Sequence, residues 1–387
     1  MPDPFATVPP GSGDLALVLS GGGARAAYQA GVLHGLARRL PGLHPRIYTG
    51  VSAGAINAAF LAAHPGPFVE ATAALIELWR QMTIDQVFRA DVRSMAGYFT
   101  RWGMRLAGGG ARIGRKARGL VDTEPLRRFL SRHLEGSDGT VRGIRENVEA
   151  DRIRAAAVTT LNYGTGETVV WIQGRDLAPW RRPLRRAAPT RLAVAHVLAS
   201  ASLPIFFPAV HLAGGWHGDG GIRLTAPFSP ALKLGAGRIL AISTRHVPPF
   251  HEEPKSAIRG YPPPAQVAGQ MLNAVFLDQF DDDAQRLERI NALCRSCPAS
   301  SDLGFRVVET TVVRPSRDLG RLAAGHERHL PRPFRFASRG LGTRETESPD
   351  FLAMLLFVPE YLDDLILIGE IDAERRADSV SRALEVA

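Results

Sequence analysis

Cysteine is nearly absent: Cys294 and Cys297 are the only two in 387 residues. A disulfide framework is therefore excluded, and a reducing, cytoplasmic setting fits. The pair forms a C-x-x-C, but no second cysteine pair accompanies it. The nearest histidine pair, His326 and His329, lies well downstream at helical spacing, so no metal site is expected. No run of eighteen apolar residues occurs without a charge, which argues against a membrane-spanning helix. The opening Met1-Pro2-Asp3-Pro4-Phe5 lacks the basic-then-apolar pattern of a signal peptide. No Gly-Lys-Ser/Thr occurs, which excludes a P-loop.

Hydrophobic residues make up 45% and charged residues 22%, as in ordinary globular chains, and the length suits one large α/β domain or two smaller ones. The net charge of +9 is clustered. Arg101, Arg105, Arg112, Arg115, Lys116 and Arg118 have no acidic residue among them. Arg175, Arg181, Arg182, Arg185, Arg186 and Arg191 are opposed by Asp176 alone. Such clusters suit an anionic surface, so peripheral association with an anionic membrane is expected. Nothing resembling a helix-turn-helix, zinc finger or RNA-recognition pattern accompanies the charge, and nucleic acid is not an expected partner.

Leu15-Ala16-Leu17-Val18-Leu19 is a continuous apolar run and predicts a fully buried strand. A helix is expected over 24–40, a strand at 46–49, and a helix from Ser52 onward. This β-loop-α-β-loop-α order predicts a mainly parallel sheet with helices on its faces. Further helices are expected at 68–82, 123–134 and 192–201, and strands at 154–161, 167–173, 209–213, 216–217 and 238–244. The glycine- and arginine-rich stretch 98–119 reads as a loop or lid. Beyond 245 we expect a long helix over 265–293, a strand over 305–313, a basic loop over 315–348, and a helix over 350–368 interrupted near Pro359.

Gly50-Val51-Ser52-Ala53-Gly54 carries the strongest chemical signal. It reads Gly-x-Ser-x-Gly between a short strand and a helix, where a serine is held on a sharp turn with its hydroxyl presented. A small-residue turn packing a helix on a sheet would look similar. Gly21-Gly22-Gly23-Ala24-Arg25, also between strand and helix, can converge backbone N–H groups on one anion. It partly matches a dinucleotide-binding fingerprint, but the second strand runs into Gly50-Val51-Ser52 and not into the required acidic residue. Asp219-Gly220-Gly221 follows a turn at Gly214-Gly215. A serine nucleophile needs a base. His196, His211, His217 and His246 are candidates by type, and none has a supporting motif. His217 lies on the strand face of Asp219 and reads as its neighbour.

Together the three motifs resemble the patatin-like phospholipases. A fourth match is Ala199-Ser200-Ala201-Ser202-Leu203-Pro204 followed by Phe206-Phe207-Pro208. The resemblance spans roughly 15–245. It implies a three-layer α/β/α fold with a mainly parallel central sheet and, here, a C-terminal helical extension. It marks 15–245 as the catalytic domain; the Pro- and Gly-rich 1–14 reads as a flexible tail, and 246–387 as an extension packed on the catalytic domain. It further implies a serine hydrolase of acyl esters of phospholipids or lysophospholipids, with Ser52 as nucleophile and Asp219 as base. The oxyanion hole would be Gly21, Gly22 and Gly23, supported by Arg25, and no cofactor or metal is implied. An esterase or thioesterase on small acyl substrates, or a non-catalytic lipid-binding module, would share the fold. Two positions depart from the family pattern: Ala26 where many members have glycine, and Gly221 where many have alanine.

Overall fold

The computed structural model describes residues 13–89, 119–247, 260–297, 300, 304–340, 342–346 and 349–386. Ten strands form one sheet. They are β1 (Leu15–Leu19), β2 (Ile47–Val51), β3 (Ala155–Asn162), β4 (Thr168–Gly174), β5 (Arg181–Arg182), β6 (Arg185–Pro189), β7 (Val210–Leu212), β8 (Gly215–Asp219), β9 (Arg238–Ile242) and β10 (Glu309–Val313). The path runs β10-β9-β1-β2-β3-β4-β6-β5, and β8 adds antiparallel to the end of β3 with β7 beside it. From β10 to β3 every pairing is parallel.

β1 shows why its run is apolar throughout. Leu15, Leu17 and Leu19 pack into one core while Ala16 and Val18 pack into a second on the opposite face. A strand buried on both faces needs no polar alternation. Helices Ala27–Arg39, Ala53–Ala63 and Phe68–Arg80 cover the first face, and residues of Ser229–Lys233 and Gln279–Ser296 cover the second. The architecture is thus the expected layered α/β arrangement.

The C-terminal chain belongs to the same body. Helix Pro359–Leu384 lies along Ala27–Arg39, where Tyr28 Oη donates to Asp372 Oδ2 at 3.1 Å. Its end is held by Arg238, whose Nη1 donates to the Leu384 carbonyl at 2.6 Å. Asp14, the last residue assigned to the tail, is buried and pairs with Arg46 and Arg154, each at 3.4 Å.

Several elements differ from expectation. The stretch 315–348 is not a loop: it holds helices Leu319–His326 and Arg332–Gly340. Asp318 starts the first by accepting from the Gly320 and Arg321 N–H groups. Glu327 ties the two together by accepting from Ser338 and Thr343. The basic composition reads as a loop, yet Glu327 takes up part of that charge by facing Arg339 and Arg344. The last helix continues to Leu384 and does not end near 368, and the helix expected over 265–293 is split by a π-helical segment, Ala274–Asp278. The expected loop at 98–119 lies, but for Gly119, outside the described residues. Among the described residues no helix is long and apolar enough to cross a membrane.

Candidate active site

β2 ends at Val51 and helix Ala53–Ala63 begins at Ala53, so the chain must reverse through Ser52 alone. Ser52 takes φ 56° and ψ −133°, a conformation costly for a side chain with a Cβ. The strain is held by neighbours. Ser52 N–H donates to Ser200 Oγ at 3.0 Å, and Ser200 Oγ donates to the Thr159 carbonyl at 2.7 Å. Behind the turn, Asn57 bridges Gln29 at 2.9 Å and Trp79 at 2.8 Å, fixing three helices against one another.

Asp219 ends β8 opposite Thr160 of β3 and is fully buried. Its backbone N–H donates to the Ser202 carbonyl at 3.2 Å. One short segment, 200–202, therefore anchors the backbones of both Ser52 and Asp219. Asp219 Oδ1 accepts from the Gly221 N–H at 2.9 Å. Oδ2 is buried and makes no hydrogen bond of good geometry among the described residues. Burial pushes the carboxyl up to about 7, opposed by hydrogen bonding from the nearby Ser52 hydroxyl and the Gly221 N–H. Such a carboxylate is a far better proton acceptor near neutral pH than an ordinary aspartate.

The glycine loop reaches the same place. An added Cβ on Gly21 would lie 2.9 Å from the Ser52 Cβ. Gly22 and Gly23 line a cavity with Ser52. Among the described residues neither glycine N–H donates to a protein acceptor, whereas the Gly22 carbonyl is taken by Arg25. Arg25 is almost fully buried, and its guanidinium faces away from open solvent. It donates to Asp350 Oδ1 at 2.9 Å and to Asn273 Oδ1 at 3.4 Å, and Asn273 Nδ2 donates to Asp350 Oδ2 at 2.7 Å. The loop is thus clamped to the C-terminal chain, with the Arg25 charge compensated.

The cavity in front of Ser52 is almost wholly apolar. Ile56, Trp79, Leu126, Phe207 and Phe357 are among its walls. Trp79 and Phe357 stack with ring centroids 6.5 Å apart.

The histidines are engaged elsewhere. His217 bonds Thr160 Oγ1 at 2.9 Å, His196 accepts from the Ala193 N–H at 3.0 Å, and His246 meets the Pro315 carbonyl at 3.0 Å. His211 packs edge-on against Trp216. Burial pushes His196 and His217 down to about 4, so both are neutral at physiological pH. Among the described residues none hydrogen-bonds Ser52 or Asp219, and no cluster of three or more metal-ligating side chains occurs. Sequence reasoning missed Asp350, Asn273 and Phe276, a further wall residue. Only their distant partners reveal them. Ser200 stood within a noted motif, but its partner was not legible.

Residues 17–232 match the family model described as patatin-like phospholipase, more than half of the chain. No curated protein sequence matches the chain. Among solved structures, VipD from Legionella pneumophila aligns over 91% of this chain and 67% of its own, at 15% identity and a TM-score of 0.33. Human GIVD cytosolic phospholipase A2, in complex with methyl γ-linolenyl fluorophosphonate, aligns over 96% and 59%, at 14% identity and 0.42. The type III effector ExoU aligns over 93% and 54%, at 15% identity and 0.29. The chain thus spans little more than half the length of the latter two proteins. By its family model, this chain belongs to the patatin-like phospholipases, lipid acyl hydrolases that act on ester bonds.

Proposed function

We propose that the protein hydrolyses acyl esters of phospholipids or lysophospholipids with a Ser52–Asp219 dyad. The observation that carries this reading is the strained Ser52, which meets both a buried, proton-hungry Asp219 and an almost wholly apolar cavity. Ser52 Oγ attacks the acyl carbonyl carbon as Asp219 takes its proton. The carbonyl oxygen becomes an oxyanion facing the Gly22 and Gly23 N–H groups, with Gly21 completing the loop. One such donor lowers the barrier by about 3 kcal/mol. Collapse expels the alcohol, which takes the proton from Asp219. The acyl group remains on Ser52. Asp219 then accepts a proton from water, whose oxygen attacks the acyl carbonyl, and the fatty acid leaves as Ser52 is reprotonated.

Arg25 acts at one remove. It holds the glycine loop through the Gly22 carbonyl and anchors it on Asp350. No cofactor or metal enters this scheme. Association with anionic membrane is part of the reading, but the second arginine cluster supports it less than its composition promises. Arg181 and Arg186 share Glu167, and Arg175 faces Asp151.

Labelling with a fluorophosphonate probe and peptide mapping tests the nucleophile: the adduct is expected on Ser52, and an adduct elsewhere contradicts the reading. Fatty-acid release from phosphatidylcholine vesicles, compared with short p-nitrophenyl esters, tests the substrate class. Turnover of the short esters alone would favour a small-substrate esterase.

A further inference from the structure

Two cavities flank the proposed dyad, and one side chain stands between them. The first lies before Ser52; the second, a small one, lies behind the nucleophile turn and is lined by Gly50, Val51, Thr159 and Gly221 among others. Phe276 is the only described residue that lines both. It comes from the C-terminal chain, in the π-helical segment Ala274–Asp278, and is 7% exposed. A π-helical insertion shifts the register of the side chains beyond it, and such segments often mark functional positions. Three residues earlier, Asn273 is bonded to the Arg25–Asp350 pair, so the segment is fixed to the same loop that faces Ser52.

The ring is admitted by Gly221. A Cβ there would lie 2.6 Å from Phe276 Cε1 and 3.2 Å from Asp219 Oδ1. The ring thus occupies the space that a side chain at 221 would need, two residues beyond the proposed base. Resting on the acyl-hydrolase reading, we propose that Phe276 is a specificity-determining residue. Its ring closes the rear of the cavity before Ser52, between it and the small cavity behind the turn, and so limits the length of acyl chain held at Ser52. Removing the ring frees its own volume and joins the two cavities. Each further methylene buried then tightens binding about fourfold.

The test compares Phe276→Ala, Phe276→Leu and wild type over saturated acyl esters of increasing length. The ratio of kcat/KM for long over medium chains is expected to rise about tenfold in Phe276→Ala and less in Phe276→Leu. An unchanged ratio in active, folded variants overturns the proposal. Fatty-acid binding by displacement of a fluorescent long-chain probe, in a Ser52→Ala background, reads the same partition without catalysis. A gain for long chains on adding Phe276→Ala supports it, and equal affinities at every length overturn it. Inactive wild type with the binding gain present would sink the hydrolase reading alone. Gly221→Ala gives a further check: its loss of thermal stability should be relieved by Phe276→Ala, and additive losses would contradict the contact.

Discussion

The Ser52 backbone N–H donates to Ser200 Oγ at 3.0 Å, and the Ser200 hydroxyl in turn donates to the Thr159 carbonyl at 2.7 Å. A buried serine thus ties the strained turn to β3, beside the strand residue that faces Asp219. Ser200→Ala leaves a buried N–H without its acceptor, at a cost of about 1–3 kcal/mol. We expect a lower melting temperature and a fall in kcat of about tenfold or more, with KM little changed. A matched loss in KM alone would place Ser200 in substrate binding instead.

The Arg25–Asp350 pair should matter for both stability and turnover. Asp350→Ala strands an almost fully buried guanidinium, which costs about 3 kcal/mol, since Asp350 keeps some exposure. Because Arg25 also holds the Gly22 carbonyl, kcat should fall as well. Thermal melts and steady-state rates of Asp350→Ala and Asp350→Asn check this, with the amide, which keeps a hydrogen-bond acceptor, expected to be milder. Wild-type stability in Asp350→Ala would contradict the clamp.

Asp219 makes folding stability depend on pH. Burial raises its folded pKa from the ordinary 3.8 to about 7. Below the unfolded value both states are protonated and stability is full. As pH rises toward the folded value, the unfolded chain gives up its proton first, and stability is lost. Asp219→Asn carries no such charge. Its melting temperature relative to wild type should therefore be higher at pH 8 than at pH 4. An equal difference at both would mean that Asp219 is not held protonated by the fold.

The same value shapes the rate. A base must be ionised to accept the Ser52 proton, so kcat/KM should rise with pH and level off above about 7. Desolvation holds the half-buried His196 and the buried His217 down at about 4, so neither can supply that inflection. A profile flat from about pH 5 to 9 would exclude Asp219 as the titrating base.

Much of this site was legible because its chemistry is local in sequence. A serine between a strand end and a helix start, and glycines after a buried strand, declare their geometry within a few residues. Asp219 needed the other motifs beside it to stand out. The layered sheet was readable from the two-sided apolar run of β1. What could not be read depends on contacts far along the chain. Arg25 reads as a fixed positive charge beside the glycines until Asp350, 325 residues on, is seen to neutralise it. Gly221 reads only as a departure from the family pattern until Phe276 is found in its space. The helices at 319–326 and 332–340 were hidden because Glu327 and Asp318, which organise them, are scattered among arginines.

The most direct test of the account is the turnover of Asp219→Asn on the acyl ester that wild type cleaves best, at pH 8, with folding checked by thermal melt. A Ser52–Asp219 dyad with no histidine predicts a fall in kcat of about a thousandfold, from loss of the base alone. Turnover within a few fold of wild type would contradict it and return the search for the base to the rest of the molecule.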